Sequence, residues 1–370
     1  MAEKKREIYW DIVKGLGIAA VVFGHSGFAY WPVIILINYY HLPIFFFVSG
    51  FFYNDTYSTD PYMYIGRKLR TLWWPMIQYV VAFILLHNLF LKLNIYSSLT
   101  DQPMIYPKTP YTLFEILGNV LGAILNTSYI SEMAGAMWFI LPLFISMVIF
   151  CVFQHFSFIL KLSGIKKEIF TLSLSIIIAS IGVLLMNKSL RLPWRADVAF
   201  VTIPIVYSGY FLKKYWQRIN MKWHVAFFLA VCVYLSYRQG AELSFFPGLI
   251  KNIPAVLIAM FSGIYLNLYI AKSLLRFQLP ARVIAYIGKN SFHIMALQFL
   301  SFKLINMVDV TIHNKPSFMI ARFTVSNLNW WPLYFFAGIF IPIFFTYMYQ
   351  QIKYKVSTKT KLRRLPRIRI

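Results

Sequence analysis

Acidic residues are scarce in this chain, whose 370 residues include only 12 Asp and Glu against 36 Lys and Arg. Charged residues of both signs make up 13% of the sequence, too few to cover the exterior of a water-soluble protein of this length. Cysteine is scarcer still, because only Cys151 and Cys232 are present and both lie in apolar stretches. Two such thiols indicate neither a disulfide framework nor a metal site.

Apolar residues are abundant: 59% of the chain is hydrophobic and 19% is aromatic. The long apolar runs favour an all-α polytopic membrane protein, because helices satisfy their backbone hydrogen bonds internally. The strands of a membrane β-barrel would instead alternate apolar and polar residues. No small-residue cleavage site follows the first apolar run, so we expect that run to remain as a helix.

Polar breaks separate about ten apolar segments of roughly 17–23 residues, the length that a bilayer requires. The predicted spans are residues 10–29, 33–53, 72–91, 136–156, 169–187, 197–213, 223–239, 252–270, 290–308 and 330–352. Basic residues gather in alternate connections and at both ends, which predicts that both termini lie in the cytoplasm. We therefore expect a membrane domain over residues 1–356 and a basic cytoplasmic tail over 357–370.

Nucleic-acid binding is a remote alternative explanation for the net charge of +24. Its distribution argues against this, since basic residues lie between apolar runs, as they do in membrane proteins. The basic tail is typical of a segment that contacts anionic headgroups. We expect membrane lipids, and no nucleic acid, as partners.

The longest connection, residues 92–135, is predicted to face outward. It contains the apolar stretch TLFEILGNVLGAIL, which is too short to span comfortably and includes Glu115. Two interpretations stay open: an interfacial or re-entrant helix over an external cavity, or a surface helix resting on lipid.

Lys14 and His25 are polar residues in the first apolar segment, where such groups indicate a functional site. They are eleven residues apart, so on a helix they share one face within about 20° and lie about 16 Å apart along the axis. We expect Lys14 near one membrane surface and His25 close to the middle of the bilayer. Imidazole is the side chain suited to proton transfer near neutral pH.

The second segment carries His41 in its outer half and Ser49 in its inner half. Pro43 is expected to interrupt the helix between them, and glycines of the first segment permit close helix packing. His41 could then approach His25. In the alternative, His41 binds a backbone carbonyl and only shapes the bundle.

Arg67 and Arg70 follow in the motif RKLR and share one face if this segment is helical. Two neighbouring guanidinium groups make a good clamp for phosphate. Ordinary positive-inside anchoring is the alternative that the spacing alone favours. Lys68 is expected to point elsewhere, toward lipid headgroups.

Trp138 begins the fourth segment at the depth of a membrane interface, where tryptophan is usually an anchor. Arg191 and Arg195 lie on the predicted outer side, against the charge rule. They indicate either an acidic or sugar-phosphate ligand or pairing of Arg195 with Asp197, and we favour pairing.

The ninth segment begins with polar residues. Asn290 or Ser291 is a reasonable helix N-cap. His293 and Gln298 are able to form hydrogen bonds between helices, and we favour a packing role for both.

Together these motifs resemble the acyltransferase-3 family of integral membrane acyltransferases, which modify bacterial surface carbohydrates. The resemblance rests on YWDIVKGLGIAAVVFGHS, YYHLPIFFFVSGFFY and RKLR, and less strongly on GAMWFI and YIGKNSFHIMALQF. Lys14 stands where members usually have Arg, and it lacks the two-pronged donor of that side chain. Gln298 stands where members commonly have His.

The resemblance implies a ten-helix domain in the inner membrane of a bacterium. It implies transfer of an acyl group, most often acetyl, from cytoplasmic acyl-CoA to a sugar hydroxyl across the membrane. His25 would be catalytic, Lys14 its partner toward the donor, and Arg67 and Arg70 the contacts to coenzyme A phosphates. The acceptor would be a surface polysaccharide, a lipid-linked sugar or a separate acyl-accepting protein.

The residues alone leave two other functions open. A transporter or flippase of lipid-linked saccharides would use the same polar cavity and broken helices. A non-catalytic membrane scaffold would leave the shared face of Lys14 and His25 unexplained.

Overall fold

The apolar segments of the sequence form helices almost without exception in the computed structural model, which describes residues 2–28, 30–97, 109–125, 132–324 and 328–363. The helices are α1 (Ala2–His25), α2 (Trp31–Asn38), α3 (Pro43–Phe51), α4 (Pro61–Lys68), α5 (Trp74–Leu85), α6 (His87–Lys92), α7 (Leu113–Leu125), α8 (Ile140–Ile159), α9 (Gly164–Asn187), α10 (Ala196–Tyr215), α11 (Trp223–Arg238), α12 (Ile253–Leu274), α13 (Gln278–Lys289), α14 (Ser291–Ile312) and α15 (Trp331–Arg363). One antiparallel hairpin, β1 (Glu242–Ser244) and β2 (Leu249–Lys251), pairs Leu243 with Ile250.

Seven helical stretches of the described chain are long and apolar enough to cross a membrane. They are Ile8–His25, Trp31–Phe51, Glu132–Ile159, Gly164–Asn187, Ile253–Leu274, Ser291–Ile312 and Trp331–Lys353. The protein is therefore an all-α membrane protein. The other three predicted spans coincide with the shorter or less apolar helices α5, α10 and α11, so the total of ten and the orientation stay predictions.

The first two predicted spans differ from the helices in the structure. Residues 10–29 were expected to form one helix, but α1 ends at His25 and Gly27 takes a φ of +85°, a conformation that favours glycine. The predicted span 33–53 is two helices, separated by a turn at residues 39–42. Pro43 opens α3, so the expected interruption is confirmed.

Glycines allow two pairs of helices to touch backbone to backbone. A Cβ atom added to Gly209 of α10 would lie 1.9 Å from the Phe47 carbonyl oxygen of α3. One added to Gly288 of α13 would lie 1.8 Å from the Asp11 carbonyl oxygen of α1. Helix α13 lies in what we expected to be a cytoplasmic connection, and it packs closely against α1.

The apolar stretch of the predicted outer connection forms helix α7. Residues 98–108 and 126–131 of that connection lie outside the described chain. The apolar side chains of α7, including Leu117 and Leu121, are exposed, as expected for a surface helix resting on lipid. Thr112 donates hydrogen bonds to Glu115 from its backbone nitrogen at 2.7 Å and from Oγ1 at 2.8 Å. These bonds hold the pKa of Glu115 below its usual value and cap the helix.

The last helix, α15, continues to Arg363, through residue 356, where we expect the membrane domain to end and the basic tail to begin. That boundary stays a prediction. The remaining residues of the tail, 364–370, lie outside the described chain.

Candidate active site

His25 is the last residue of α1 and of its membrane-length stretch, Ile8–His25, so it lies at an end of that stretch and not near its middle as we expected. It lies beside the first half of α14. Its Nδ1 is 3.4 Å from Oε1 of Gln298, which is fully buried. The Gln298 amide nitrogen donates to the Met295 carbonyl oxygen at 3.3 Å. This second bond turns the amide oxygen toward His25.

The orientation of Gln298 selects one tautomer of His25. An amide oxygen can only accept a hydrogen bond, so Nδ1 of the imidazole must carry the proton. In a neutral ring, Nε2 then has a free lone pair and can act as a base. We therefore confirm that Gln298 forms a hydrogen bond between helices, and its effect is to orient the candidate catalytic histidine.

Two aromatic rings stand edge-on to the imidazole. The Phe299 ring centre lies 5.1 Å from that of His25, and the Phe323 ring centre lies 6.1 Å away. Phe299 belongs to α14, whereas Phe323 belongs to the connection between α14 and α15. The imidazole is nevertheless partly exposed, so these rings restrict access to His25 without enclosing it.

His41 lies at the turn between α2 and α3. Its Nδ1 donates to the Ile37 carbonyl oxygen at 2.9 Å, so the expected backbone contact is present. This bond supports the interpretation in which His41 shapes the bundle, and its approach to His25 stays a prediction.

Lys14 forms an ion pair with Asp11 of the same helix, with Nζ 2.7 Å from Oδ1. Both side chains are about a third exposed, at 31% and 27%. Asp11 was not among the predicted site residues, although a carboxylate three residues before a lysine is a recognisable helical pair. The carboxylate holds the cation about two turns from Ile8, where the membrane-length stretch of α1 begins.

Arg67 and Arg70 lie where an α-helix changes into a π-helical turn, Leu69–Trp73. Arg67 donates to the hydroxyl of Tyr57. Arg70 is exposed and forms no hydrogen bond or ion pair with the described residues. Neither guanidinium group is committed to a carboxylate in the described chain, and π-helical turns of this kind are frequent at functional sites.

Lys68 lies beside this pair, and its expected contact with lipid headgroups stays a prediction. Its Nζ lies 5.2 Å from the centre of the Tyr64 ring. Burial, with a contribution from the charge of Arg67, lowers the pKa of Lys68 to about 8. A third cation whose charge depends on pH therefore adjoins the two arginines.

Arg195 and Asp197 on the predicted outer side pair with each other, as we favoured. Arg195 donates to Asp197 through Nη2 at 3.0 Å, and to the Phe245 carbonyl oxygen at 2.9 Å. Its guanidinium carbon also lies 5.5 Å from the centre of the Trp138 ring. Trp138 additionally contacts Phe246, so it packs beneath the hairpin loop and is more than an interfacial anchor.

The chain was compared with known proteins. A family model described as an acyltransferase domain, the acyltransferase-3 model, matches residues 7–348. The chain belongs to the acyltransferase-3 family. No curated protein and no solved structure matches it.

Membership in the acyltransferase-3 family makes this protein a membrane acyltransferase, as the resemblance implied. The match covers Lys14, His25, Arg67 and Arg70. The transporter or flippase alternative gains no support from it. Within the described ranges, no three His, Cys, Asp or Glu residues form a group that could hold a metal ion.

The N-cap residue of α14 is Asn290, one of the two residues expected there. Its side chain forms no capping hydrogen bond, and its amide nitrogen donates backward to the Tyr286 carbonyl oxygen at 2.8 Å. His293 lies 2.7 Å from the Tyr79 hydroxyl of α5, which confirms a hydrogen bond between helices. Ser291 is partly exposed.

Ser49 lies on the partly exposed face of α3, beside the close contact with α10. Its neighbour Gly50 faces the Val206 carbonyl oxygen, which a Cβ atom at residue 50 would approach to 1.8 Å. Ser49 forms no side-chain hydrogen bond among the described residues. This stretch therefore has a packing role next to the candidate site.

Proposed function

We propose that this protein is an O-acyltransferase that uses cytoplasmic acyl-CoA, with acetyl-CoA as the simplest donor. The acceptor would be a hydroxyl of an extracytoplasmic or lipid-linked carbohydrate, and the protein would lie in the inner membrane of a bacterium. Family membership supports the acyl transfer. The observation that carries the mechanism is the imidazole of His25, held by Gln298 with Nε2 available as a base.

The reaction follows from the acid–base state of His25. Nε2 removes the proton of the acceptor hydroxyl as the oxygen attacks the thioester carbonyl carbon. The carbon–sulfur bond then breaks, and the departing thiolate takes the proton from the imidazolium. General-base assistance of this kind is worth roughly 10²–10⁴-fold in rate. A second route, in which Nε2 first accepts the acyl group and passes it on, remains an alternative.

The donor would be held by the cations of α4 and the turn that follows it. Arg67 and Arg70 would bind phosphates of coenzyme A, because guanidinium groups match phosphate oxygens in charge and shape. Lys68 would add a third charge. Lys14 would lie between this site and His25, where Asp11 keeps its ammonium group in position.

The acceptor would approach His25 from the opposite side. Trp138 offers part of an aromatic surface there, and Arg195 shapes it while remaining paired with Asp197. His41, at the turn between α2 and α3, would adjoin the reacting hydroxyl. Ser49 and Ser291 lie toward the donor side, next to Gly50 and near Gly288, so we assign them to packing and not to acceptor contacts. The acceptor could also be a separate protein that passes the acyl group to carbohydrate.

The proposal is tested with membranes from cells that carry or lack this gene. These membranes are incubated with acetyl-CoA labelled in the acetyl group, and the carbohydrate fraction is examined for label by NMR. We expect label as an ester on a sugar hydroxyl only when the gene is present. Saccharide movement without any acyl transfer would instead favour the transporter alternative.

A further inference from the structure

A buried ammonium group fastens the connection that follows α14. Lys303 of α14 is 1% exposed. Its Nζ donates to the carbonyl oxygens of Ala321 and Arg322 at 2.7 and 2.8 Å, and to the carboxylate of Glu132 at 3.4 Å. Three acceptors match the three N–H bonds of an ammonium group, so the lysine is fully satisfied where it lies.

Asn306, one turn farther along α14, fastens the same connection. Its amide nitrogen donates to the carbonyl oxygens of Ile320 and Arg322 at 3.0 and 2.7 Å. Its amide oxygen accepts from the Tyr334 hydroxyl of α15 at 2.6 Å. The backbone of residues 320–322 is thus fixed to α14 by four hydrogen bonds from two side chains. A buried network whose hydrogen bonds are all formed holds this backbone in one position.

The next residue of the fixed connection is Phe323. Its ring centre lies 4.9 Å from that of Phe299 and 6.1 Å from that of His25. Phe299 itself lies 5.1 Å from His25 and faces Gly135, where a Cβ atom would come within 3.0 Å of it. The position of the Phe323 ring over the imidazole therefore depends on the backbone that Lys303 and Asn306 hold.

We infer that Lys303 and Asn306 are positioning residues that hold Phe323 over His25, and that Phe323 restricts water so that the acyl group reaches the acceptor. This inference rests on the proposed function. A base that can deprotonate a sugar hydroxyl can also deprotonate water, and the acyl thioester is then hydrolysed to the carboxylic acid and free coenzyme A. Restricting water is a recognised way to prevent such a side reaction.

The first test measures hydrolysis against transfer in the purified full-length protein in lipid nanodiscs. Free coenzyme A is measured with acetyl-CoA alone, and labelled ester is measured when carbohydrate acceptor is added. For Phe323→Ala and Lys303→Met we expect the ratio of hydrolysis to transfer to rise about tenfold, equivalent to about 1.4 kcal/mol. Phe323→Leu retains an apolar cover and should stay near the wild type.

Lys251→Met is the matched control for Lys303→Met, because Lys251 forms an exposed ion pair with Glu242 in the hairpin. Its ratio of hydrolysis to transfer should not change. An unchanged ratio in Phe323→Ala would overturn the inference even if Lys303→Met failed to fold, since Phe323 carries none of the anchoring bonds described above.

A second readout does not depend on catalysis. Diethyl pyrocarbonate modifies accessible imidazoles, and the modification rate of His25 is followed by mass spectrometry. We expect faster modification in Phe323→Ala and Lys303→Met than in the wild type and the Lys251→Met control. Equal modification rates of His25 in the variants and the wild type would show that Phe323 does not cover His25, and would overturn the inference. A wild type that consumes no acetyl-CoA would refute the proposed function, while the modification rates would still decide whether Phe323 covers His25.

Discussion

Replacing Gln298 with leucine tests whether a single amide orients the catalytic imidazole. Leucine has a similar size but accepts no hydrogen bond, so Nδ1 of His25 loses its partner at 3.4 Å. The ring is then free to exchange tautomers and to rotate. We expect slower acyl transfer with little change in the amount of folded protein, because Gln298 is buried among apolar residues.

The size of the effect follows from the type of bond. A hydrogen bond between neutral groups contributes about 0.5–1.5 kcal/mol, and each 1.36 kcal/mol changes a rate tenfold. The length of 3.4 Å places this bond toward the weaker end of that range. Without the bond, the imidazole leaves the reactive tautomer and orientation in the ground state and must regain them in the transition state, so we expect kcat to fall by roughly 2- to 13-fold, toward the lower end of that range.

The assay is acetyl transfer to carbohydrate at saturating acetyl-CoA, with purified protein in nanodiscs. Ser301→Ala is the matched control, because Ser301 lies on the same helix and, among the described residues, its hydroxyl binds only the Leu297 carbonyl oxygen of that helix. Its kcat should match the wild type. A wild-type kcat for Gln298→Leu would refute the role of the amide in orienting His25.

The other predictions concern the donor cations and helix packing. Arg67→Ala and Arg70→Ala should raise the KM for acetyl-CoA more than the KM for carbohydrate, and steady-state kinetics in both substrates would contradict the phosphate clamp if the donor KM stayed constant. Lys68 loses its positive charge as pH rises through about 8, so the donor KM should increase above that pH. Lys68→Met should remove this increase, and a pH profile identical to the wild type would exclude Lys68 from donor binding. Gly288→Ala places a Cβ atom 1.8 Å from a carbonyl oxygen of α1, so overpacking should cost about 1–3 kcal/mol or more and lower the Tm. Gly118→Ala, which has no neighbouring atom within 4 Å at its Cβ position, is the control and should not lower it.

The sequence predicted features that depend on local pattern. Apolar runs located the helices, because a membrane span must satisfy its backbone hydrogen bonds within itself. The spacing of Lys14 and His25 predicted a shared face on α1, and Pro43 predicted the interruption before α3. Each of these inferences used residues within about three helical turns of one another.

Contacts between residues far apart in the sequence could not be predicted from such local patterns. The bond from His25 to Gln298 joins residues 273 positions apart, and no periodicity in either segment specifies the pairing. Helix α13 was assigned to a connection because its polar and basic residues are frequent, although its Gly288 fits the backbone of α1. Lys303 was overlooked because a lysine within an apolar run becomes interpretable only when its backbone acceptors are known.

The most direct measurement compares wild-type protein and His25→Ala in nanodiscs, with transfer of labelled acetyl from acetyl-CoA to carbohydrate as the readout. Size-exclusion chromatography and Tm establish that the variant is folded. If Nε2 is the base, or the transient acyl carrier, transfer should fall by roughly 10²–10⁴-fold or more. Transfer at the wild-type rate by folded His25→Ala protein would contradict a catalytic role for this imidazole.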